Sequence, residues 1–336
     1  MREFHDNIVA KAEENGATYL YETSAVQLVV DESGRVTGAI GQNENGYVKV
    51  NASLGTILCT GDISDSDEML EAYCPMAVGV SSAHAVRSNT GDGTRMGLWA
   101  GGRLEHAPAN LQIHLDPSPL PGGTAPFISV PWLHVNNRGE RFTNENVEMT
   151  TLALQIREQP SQHAFQIIDS HLLEHAAEYP NGYHVAADEA AIETAVERGC
   201  GFKADTIEEL AELIGVPVDT LVATVERYNG YVDAGLDEEF GVDPQILAWN
   251  GIKDAPFYAF QYQPALVVAG AGLRCNDRLQ VLNGDGEPIE GLYAAGDVQG
   301  SLFGFLYPVN DFGGFTVGRA VVGGVLAVKS AEGTLE

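Results

Sequence analysis

The stretch EGLYAAGDVQGSLFGFLYPVNDFGG, residues 290–314, constrains the fold more than any other part of the chain. A short apolar strand runs straight into Gly296-Asp297. A glycine-rich segment follows and enters an apolar helix. Strand, tight turn and helix in that order belong to an α/β architecture. A second such unit lies earlier. The run GTILCT (55–60) is apolar without alternation, which suits a strand covered on both faces.

The texture before that strand is helix, strand and three-stranded meander. MREFHDNIVAKAEENGA puts Phe4, Ile8 and Val9 on one helical face, with Gly16 as the stop. TYLYE reads as a strand. The next three runs are separated by turn clusters at Asp31–Gly34 and Asn43–Gly46. The N-terminus is not a secretory signal. A chain that opens inside a helix, with neither cap nor leader, reads as a piece of a longer polypeptide.

After GTILCT comes NTGDGTRMGLWAGG. Gly91 and Gly93 flank Asp92 at the start of a helix, where free backbone N–H groups attract phosphate. Most Gly-Asp-Gly turns are only turns, so the motif leaves both readings open. Residues 103–255 differ in texture. Proline and aromatics are frequent through 108–132, and HVNNRGERFTNEN reads as strand, turn at Asn137–Gly139, strand. A helical hairpin follows. Thr206 with Glu209 forms a capping box before Leu210, Leu213 and Ile214, Gly215 closes that helix, and Pro217 opens the next. Strand texture returns near residue 256. The expected plan is an α/β domain in two pieces, 1–102 and 256–336, with a mainly helical α+β domain, 103–255, inserted between them.

With 336 residues, 44% hydrophobic, the chain can bury a substantial core. Its net charge of −29 opposes binding to nucleic acid or an anionic membrane, because both would be repelled. No apolar stretch is long enough to span a bilayer. Cys59, Cys74, Cys200 and Cys275 form no metal-ligand spacing and read as ordinary thiols.

Five motifs in one order resemble the FAD-dependent fumarate reductase/succinate dehydrogenase flavoprotein family, which includes urocanate reductases and ketosteroid dehydrogenases. They are ILCTGDIS, where the family has Thr-Gly-Gly-Phe; NTGDGTRMG; NNRGERFTNE; KADTIEELAELIGV with LVATVERYNGYVDAG; and GLYAAGDVQGS. The resemblance implies a split FAD-binding domain with a capping domain over the flavin ring. It also implies hydride exchange between flavin N5 and a carbon–carbon bond conjugated to a carbonyl.

By the same resemblance, Gly296 and Asp297 hold the ribityl chain, and the backbone of Val26 meets the adenine. Thr60 and Gly61 form the turn beside the adenosine. Asp92 belongs to the cofactor-binding set, in the glycine turn before the helix that carries Met96, Leu98 and Trp99. Gly313, Gly314 and Phe315 begin the last helix, whose N–H groups face the pyrimidine edge of the flavin. The family's first strand, with its Gly-x-Gly-x-x-Gly phosphate cradle, would lie upstream of residue 1. The expectation is a shortened product of a longer gene, or a second chain that supplies this half-site.

The substrate positions depart from the dicarboxylate reductases. Their proton-donating arginine falls at Met149, their carboxylate-binding histidine at Val268 and their second arginine at Tyr307. The acid and arginine of their proton relay fall at Ala125 and Ile128. His114 and Thr124 remain from the substrate set. A dianion would lose its bidentate partners, so the expected substrate is a neutral or mostly apolar α,β-unsaturated carbonyl compound that is not a dicarboxylate. Tyr307 either protonates the α-carbon, hydrogen-bonds the carbonyl, or simply packs. His114 either polarises the substrate or is structural. Phe303, Phe305 and Phe312 line the pocket or belong to the core. Arg141 and Glu145 brace the cap. The step run backwards would be a ketosteroid-type dehydrogenation, and a chain inactive alone is the non-enzymatic alternative. The sequence does not identify the external electron donor, and any haem donor would sit elsewhere, because no Cys-x-x-Cys-His motif occurs.

Overall fold

The computed structural model describes residues 2–83, 87–106, 110–117, 130–171, 175, 189–300, 303, 304, 307 and 314–335. It begins with helix α1 (Arg2–Glu14), which stops at Gly16 in the left-handed region (φ 90°). Its apolar residues Phe4 and Ile8 are exposed rather than buried. The TYLYE segment forms no strand. Tyr19 and Tyr21 stack on each other at 5.7 Å, and neither they nor Leu20 find a sheet partner. Strand propensity there has no ladder to join.

The meander is as the turn chemistry requires. Strands β1 (Ser24–Val30), β2 (Val36–Asn43) and β3 (Gly46–Asn51) pair antiparallel in that order. Asp31 accepts from Ser33 and Arg35 and so closes the first turn. The β1–β2 register slips between Ala25 and Gln27, which makes Val26 a bulge.

Strand β4 (Thr56–Leu58) pairs in parallel with β12 (Pro288–Ala294), and β12 pairs on its other side with β11 (Gln280–Leu282). Among the described residues β4 is the edge of this sheet. Helix α2 (Asp67–Tyr73) follows, then the two-residue strand β5 (Ser81–Ser82) and α3 (Asp92–Trp99).

A larger sheet is organised around one strand. It contains β6 (Asn110–Pro117), β7 (His134–Val135), β8 (Ala164–Ile168), β9 (Gly201–Ala204) and the 14-residue β10 (Phe257–Gly270). The first half of β10 pairs with β8 and β9, and the second half with β6 and β5. The middle of the chain therefore carries strands as well as helices. The strand after Arg141 is reduced to a single bridge between Val135 and Arg141.

Helix α4 (Met149–Arg157) packs on β6. Beyond α5 (Glu189–Glu197) comes the helical hairpin of α6 (Ile207–Ile214) and α7 (Val218–Ala234), then the single turn α8 (Pro244–Leu247). The α6 start matches its sequence signal: the Glu209 N–H donates to Thr206 Oγ1 at 3.1 Å, and Gly215 ends the helix at φ 73°. Leu213, however, is exposed. The last helix is α9 (Phe315–Ala331), which packs on β12. No helix among the described residues is long and apolar enough to cross a membrane.

Two cores result. The larger joins Ile63, Met69 and Leu70 to the β6–β10 sheet and the α4, α6 and α7 faces. The smaller joins Leu28, Leu58 and Met96 to Leu273, Leu292 and Val298. Each fully buried leucine or isoleucine contributes roughly 1.5–3 kcal/mol. The chain passes between the cores through adjacent segments. Arg103 N–H donates to Leu282 O at 3.0 Å, Arg274 N–H to Arg103 O at 2.8 Å, and Glu105 N–H to Gly272 O at 3.1 Å.

Candidate flavin and substrate site

The site forms along the outer edges of β6 and β10. Val268 of β10 lies directly opposite Gln112 of β6, Ala265 opposite His114, and Ala269 opposite Leu111. Tyr307 attaches to the free edge of β6, where its backbone N–H donates to Leu111 O at 3.2 Å. Tyr307 is 2% exposed. Its ring meets Phe303 edge-on at 4.9 Å, and Phe303 meets Phe315 at 5.2 Å. Tyr307 thus stands across β6 from the strand that carries Val268, and through Phe303 it reaches the start of α9. Met149 is buried in the first turn of α4, which packs against β6. Thr124, Gly313, Ala125, Ile128, Phe305 and Phe312 lie outside the described residues.

The turn after β12 carries Gly296 and Asp297. Gly296 has φ 77°, a conformation that favours glycine, and Asp297 follows it in a 3-10 turn. Asp297 faces Arg319 of α9. The Arg319 guanidinium donates to Gln299 O, while its Nε is buried with no hydrogen-bond partner. Burial lowers the Arg319 pKa, and the carboxylates of Asp297 and Glu105 oppose that shift. Gly314 caps α9 at φ 76°.

The second half of the site is the turn after β4. The Thr60 hydroxyl is buried without a partner. A Cβ on Gly93 would stand 1.8 Å from Thr60 Oγ1, so α3 reaches this turn only because residue 93 is glycine. Gly61 has φ 74°. The Asp92 carboxylate is occupied locally, accepting from Thr90 Oγ1 at 2.7 Å and Arg95 Nη1 at 3.2 Å. Between β1 and α3 lies a cavity of about 440 Å³ lined by Val26, Leu28, Met96 and Trp99. The bulge at Val26 takes that residue's backbone out of the β1–β2 ladder.

These features fit FAD. A bulged backbone beside a cavity suits adenine. An orphaned hydroxyl at a glycine turn suits the adenosine end, and a carboxylate at a left-handed glycine suits ribityl hydroxyls. Val26, Thr60, Gly61, Gly296 and Asp297 would hold the group.

Three site residues escaped the sequence reading. Gln112 is buried opposite Val268; in a strand that alternates polar and apolar residues from Asn110 to Asp116, its sequence carried no signal that set it apart. Arg319 gave none, since an arginine near a helix start reads as surface. Asp62 stands where the resembling motif has glycine, and that departure was its signal. It is 2% exposed.

Arg141 and Glu145 are structural, as their motif suggested. Arg141 binds Glu145 through Nε at 2.8 Å and Nη2 at 2.7 Å, and Asp237 through Nη1 at 2.9 Å and Nη2 at 2.7 Å. The Arg141 guanidinium holds the Asp237 carboxyl well below the usual carboxylate range, against the opposing effect of burial.

A family model described as FAD binding domain matches residues 4–311. The chain is 30% identical over 330 residues to NADH:acrylate oxidoreductase of Vibrio harveyi, covering 94% of this chain and 31% of that protein. It is 29% identical over 356 residues to vinyl phenol reductase of Lactiplantibacillus plantarum, covering 95% and 69%. Among solved structures, the open conformation of a flavocytochrome c3 fumarate reductase superposes with a TM-score of 0.72 at 28% identity, covering 98% of this chain and 55% of that one. The chain thus spans about a third to two thirds of the length of these relatives. Matched over most of its length, and carrying the residues that suit the cofactor, the chain belongs to the FAD-binding flavoprotein family of the fumarate reductases and succinate dehydrogenases.

Proposed function

We propose that this protein reduces an activated carbon–carbon double bond in a substrate that is not a dicarboxylate. FAD, when bound, supplies the hydride at N5 to the β-carbon of the alkene. Tyr307 protonates the α-carbon or hydrogen-bonds the conjugated carbonyl, and the apolar surfaces of Val268 and Met149 exclude water around it. Gln112 orients the polar end of the substrate. His114 remains a candidate for the same task.

The observation that carries this reading is the position of Tyr307. It is a buried phenol fixed to the β6 edge, one strand away from Val268, at a site where the resembling dicarboxylate reductases use charge. The relatives named for acrylate and vinyl phenol carry the names of alkenes that are not dicarboxylates.

The cofactor site is completed by a further stretch of polypeptide, from a longer product of the same gene or from a second chain. It adds a strand to β4 and supplies the glycine turn that cradles the pyrophosphate. The open edge of β4 supports this, as do the exposed Val317, Val321, Val322 and Val325 of α9. Among the described residues the small sheet otherwise has an uncovered edge at β4. In this reading the segment between the two α/β pieces caps the flavin.

The test is an absorption spectrum of the purified chain with and without added FAD. Anaerobic oxidation of the reduced flavin by enones, acrylate and fumarate follows. Stoichiometric flavin with turnover on enones, and none on fumarate, is the expected result. Faster turnover on fumarate overturns the substrate reading. A chain that takes up no FAD places the activity in the completed assembly.

A further inference from the structure

Asp62 joins two parts of the site that the chain keeps 207 residues apart. It follows Thr60 and Gly61 directly. Its Oδ1 accepts from the Ser64 N–H at 2.9 Å and the Ser64 hydroxyl at 2.8 Å. Its Oδ2 accepts from the Ala269 N–H at 3.2 Å. The next residue completes the join, because Ile63 N–H donates to Ala269 O at 3.0 Å. Both peptide groups of Ala269 are therefore held by the turn after β4, and Ala269 is the neighbour of Val268.

The geometry points to Asp62 as a positioning residue, whose ionised carboxylate fastens the cofactor turn to the strand end that carries Val268 and whose protonation loosens that hold. The functional part of this statement rests on the reading of Val268 as substrate-facing.

The two oxygens are not equivalent. Oδ1 accepts two hydrogen bonds and Oδ2 only one, the longest of the three. A proton therefore goes to Oδ2, which makes it a hydroxyl and a much weaker acceptor. The bond that suffers is the one to Ala269. The titratable groups that face Asp62 are Asp297 from the turn after β12 and Cys74 from the end of α2. Arg319 reaches Asp297 from α9. Burial, assisted by Asp297 and opposed by the three donors, pushes Asp62 up to about 6.

This arrangement has a signature that plain packing lacks. Because the folded pKa is raised, protonation of Asp62 favours the folded state: the contribution is full below the ordinary value of 3.8 and is lost as pH rises through about 6. Acidification should thus tighten the whole fold while loosening one amide. The experiment is hydrogen exchange by NMR on the deuterated 336-residue chain between pH 5 and 7, corrected for intrinsic rates. Protection of the Ala269 amide should fall about fivefold or more, as expected for one lost hydrogen bond, with a midpoint near 6. The Ala259 amide, in the same strand, should show no such step.

Asp62→Asn should hold Ala269 at the low level at every pH. Ser64→Ala, which removes one donor and keeps the carboxylate, should move the midpoint upward and serves if the first variant does not fold. Flavin fluorescence on the same samples reports FAD uptake, which should weaken over the same step. A flat Ala269 profile in the wild type overturns the inference, as does a step that survives Asp62→Asn. A chain that shows the Ala269 step and takes up no FAD retains the join and loses the functional reading.

Discussion

The backbone N–H of Tyr307 donates to the carbonyl of Leu111 at 3.2 Å, which extends the edge of β6 by one residue. The opposite neighbour of Leu111 is Ala269, held in turn by Asp62 and Ile63. A phenol, two strands and the cofactor turn therefore form one hydrogen-bonded layer. One anchor on Tyr307 is its main chain, and the ring contact with Phe303 is one that a phenylalanine would keep.

Tyr307→Phe should accordingly leave FAD affinity and melting temperature close to wild type and lower alkene reduction. A positioned general acid contributes about 10²–10⁴-fold. Steady-state rates with a saturating enone check this. A fall below tenfold would assign the phenol to packing.

Thr60→Val should separate stability from cofactor binding. The Thr60 hydroxyl is buried without a partner, so a methyl group of the same shape should stabilise the FAD-free chain by about 1 kcal/mol. The same change removes a hydroxyl that FAD would satisfy, and should weaken FAD binding about fivefold or more. Urea unfolding and flavin titration read the two effects separately.

Arg141→Met should cost about 3–5 kcal/mol, because it leaves Glu145 and Asp237 buried without their shared cation. The guanidinium also lies 4.9 Å from the ring centres of Tyr228 and Phe240, so its loss removes packing as well as charge. Arg141→Lys keeps the charge but not the fork and should fall between wild type and Arg141→Met. The denaturation midpoint is the measure.

Two buried groups, His134 and Asp62, should pull the wild-type stability in opposite directions between about pH 4 and 6. His134 donates from Nδ1 to Trp132 O at 2.7 Å, and burial lowers its pKa to about 4. Its contribution is full above the ordinary value of 6.5 and is lost as pH falls toward 4. Asp62, raised to about 6, contributes in the other direction. His134→Leu should therefore make the chain gain stability on acidification, and Asp62→Asn should make it lose stability, each by at most about 1.4 kcal/mol per pH unit. Urea unfolding at several pH values compares the three slopes.

Local signals carried much of the fold. Thr206, Gly215 and the Asn and Asp turns of the meander act within a few residues, and all stand where their chemistry puts them. TYLYE failed because a strand needs a neighbour, and propensity alone cannot supply one. The two-sided role of β10 was hidden for the same reason: its partners come from four separate places in the chain. Of the candidate site, motif order singled out the glycine turns and Tyr307 as candidates. The Asp62–Ala269 join was not, because only the fold brings residues so distant in sequence into contact.

The paired segments at 103–105 and 272–282 have a consequence for how such a protein diversifies. The chain leaves the small core and re-enters it through neighbours already tied by main-chain hydrogen bonds. The intervening region is sewn down at a second place as well, where β5 pairs with β10 and where Asp62 and Ile63 hold Ala269. Two seams, one at its ends and one along its flank, fix how that region sits. A change of length inside it leaves the cofactor-side turns undisturbed only where it spares both.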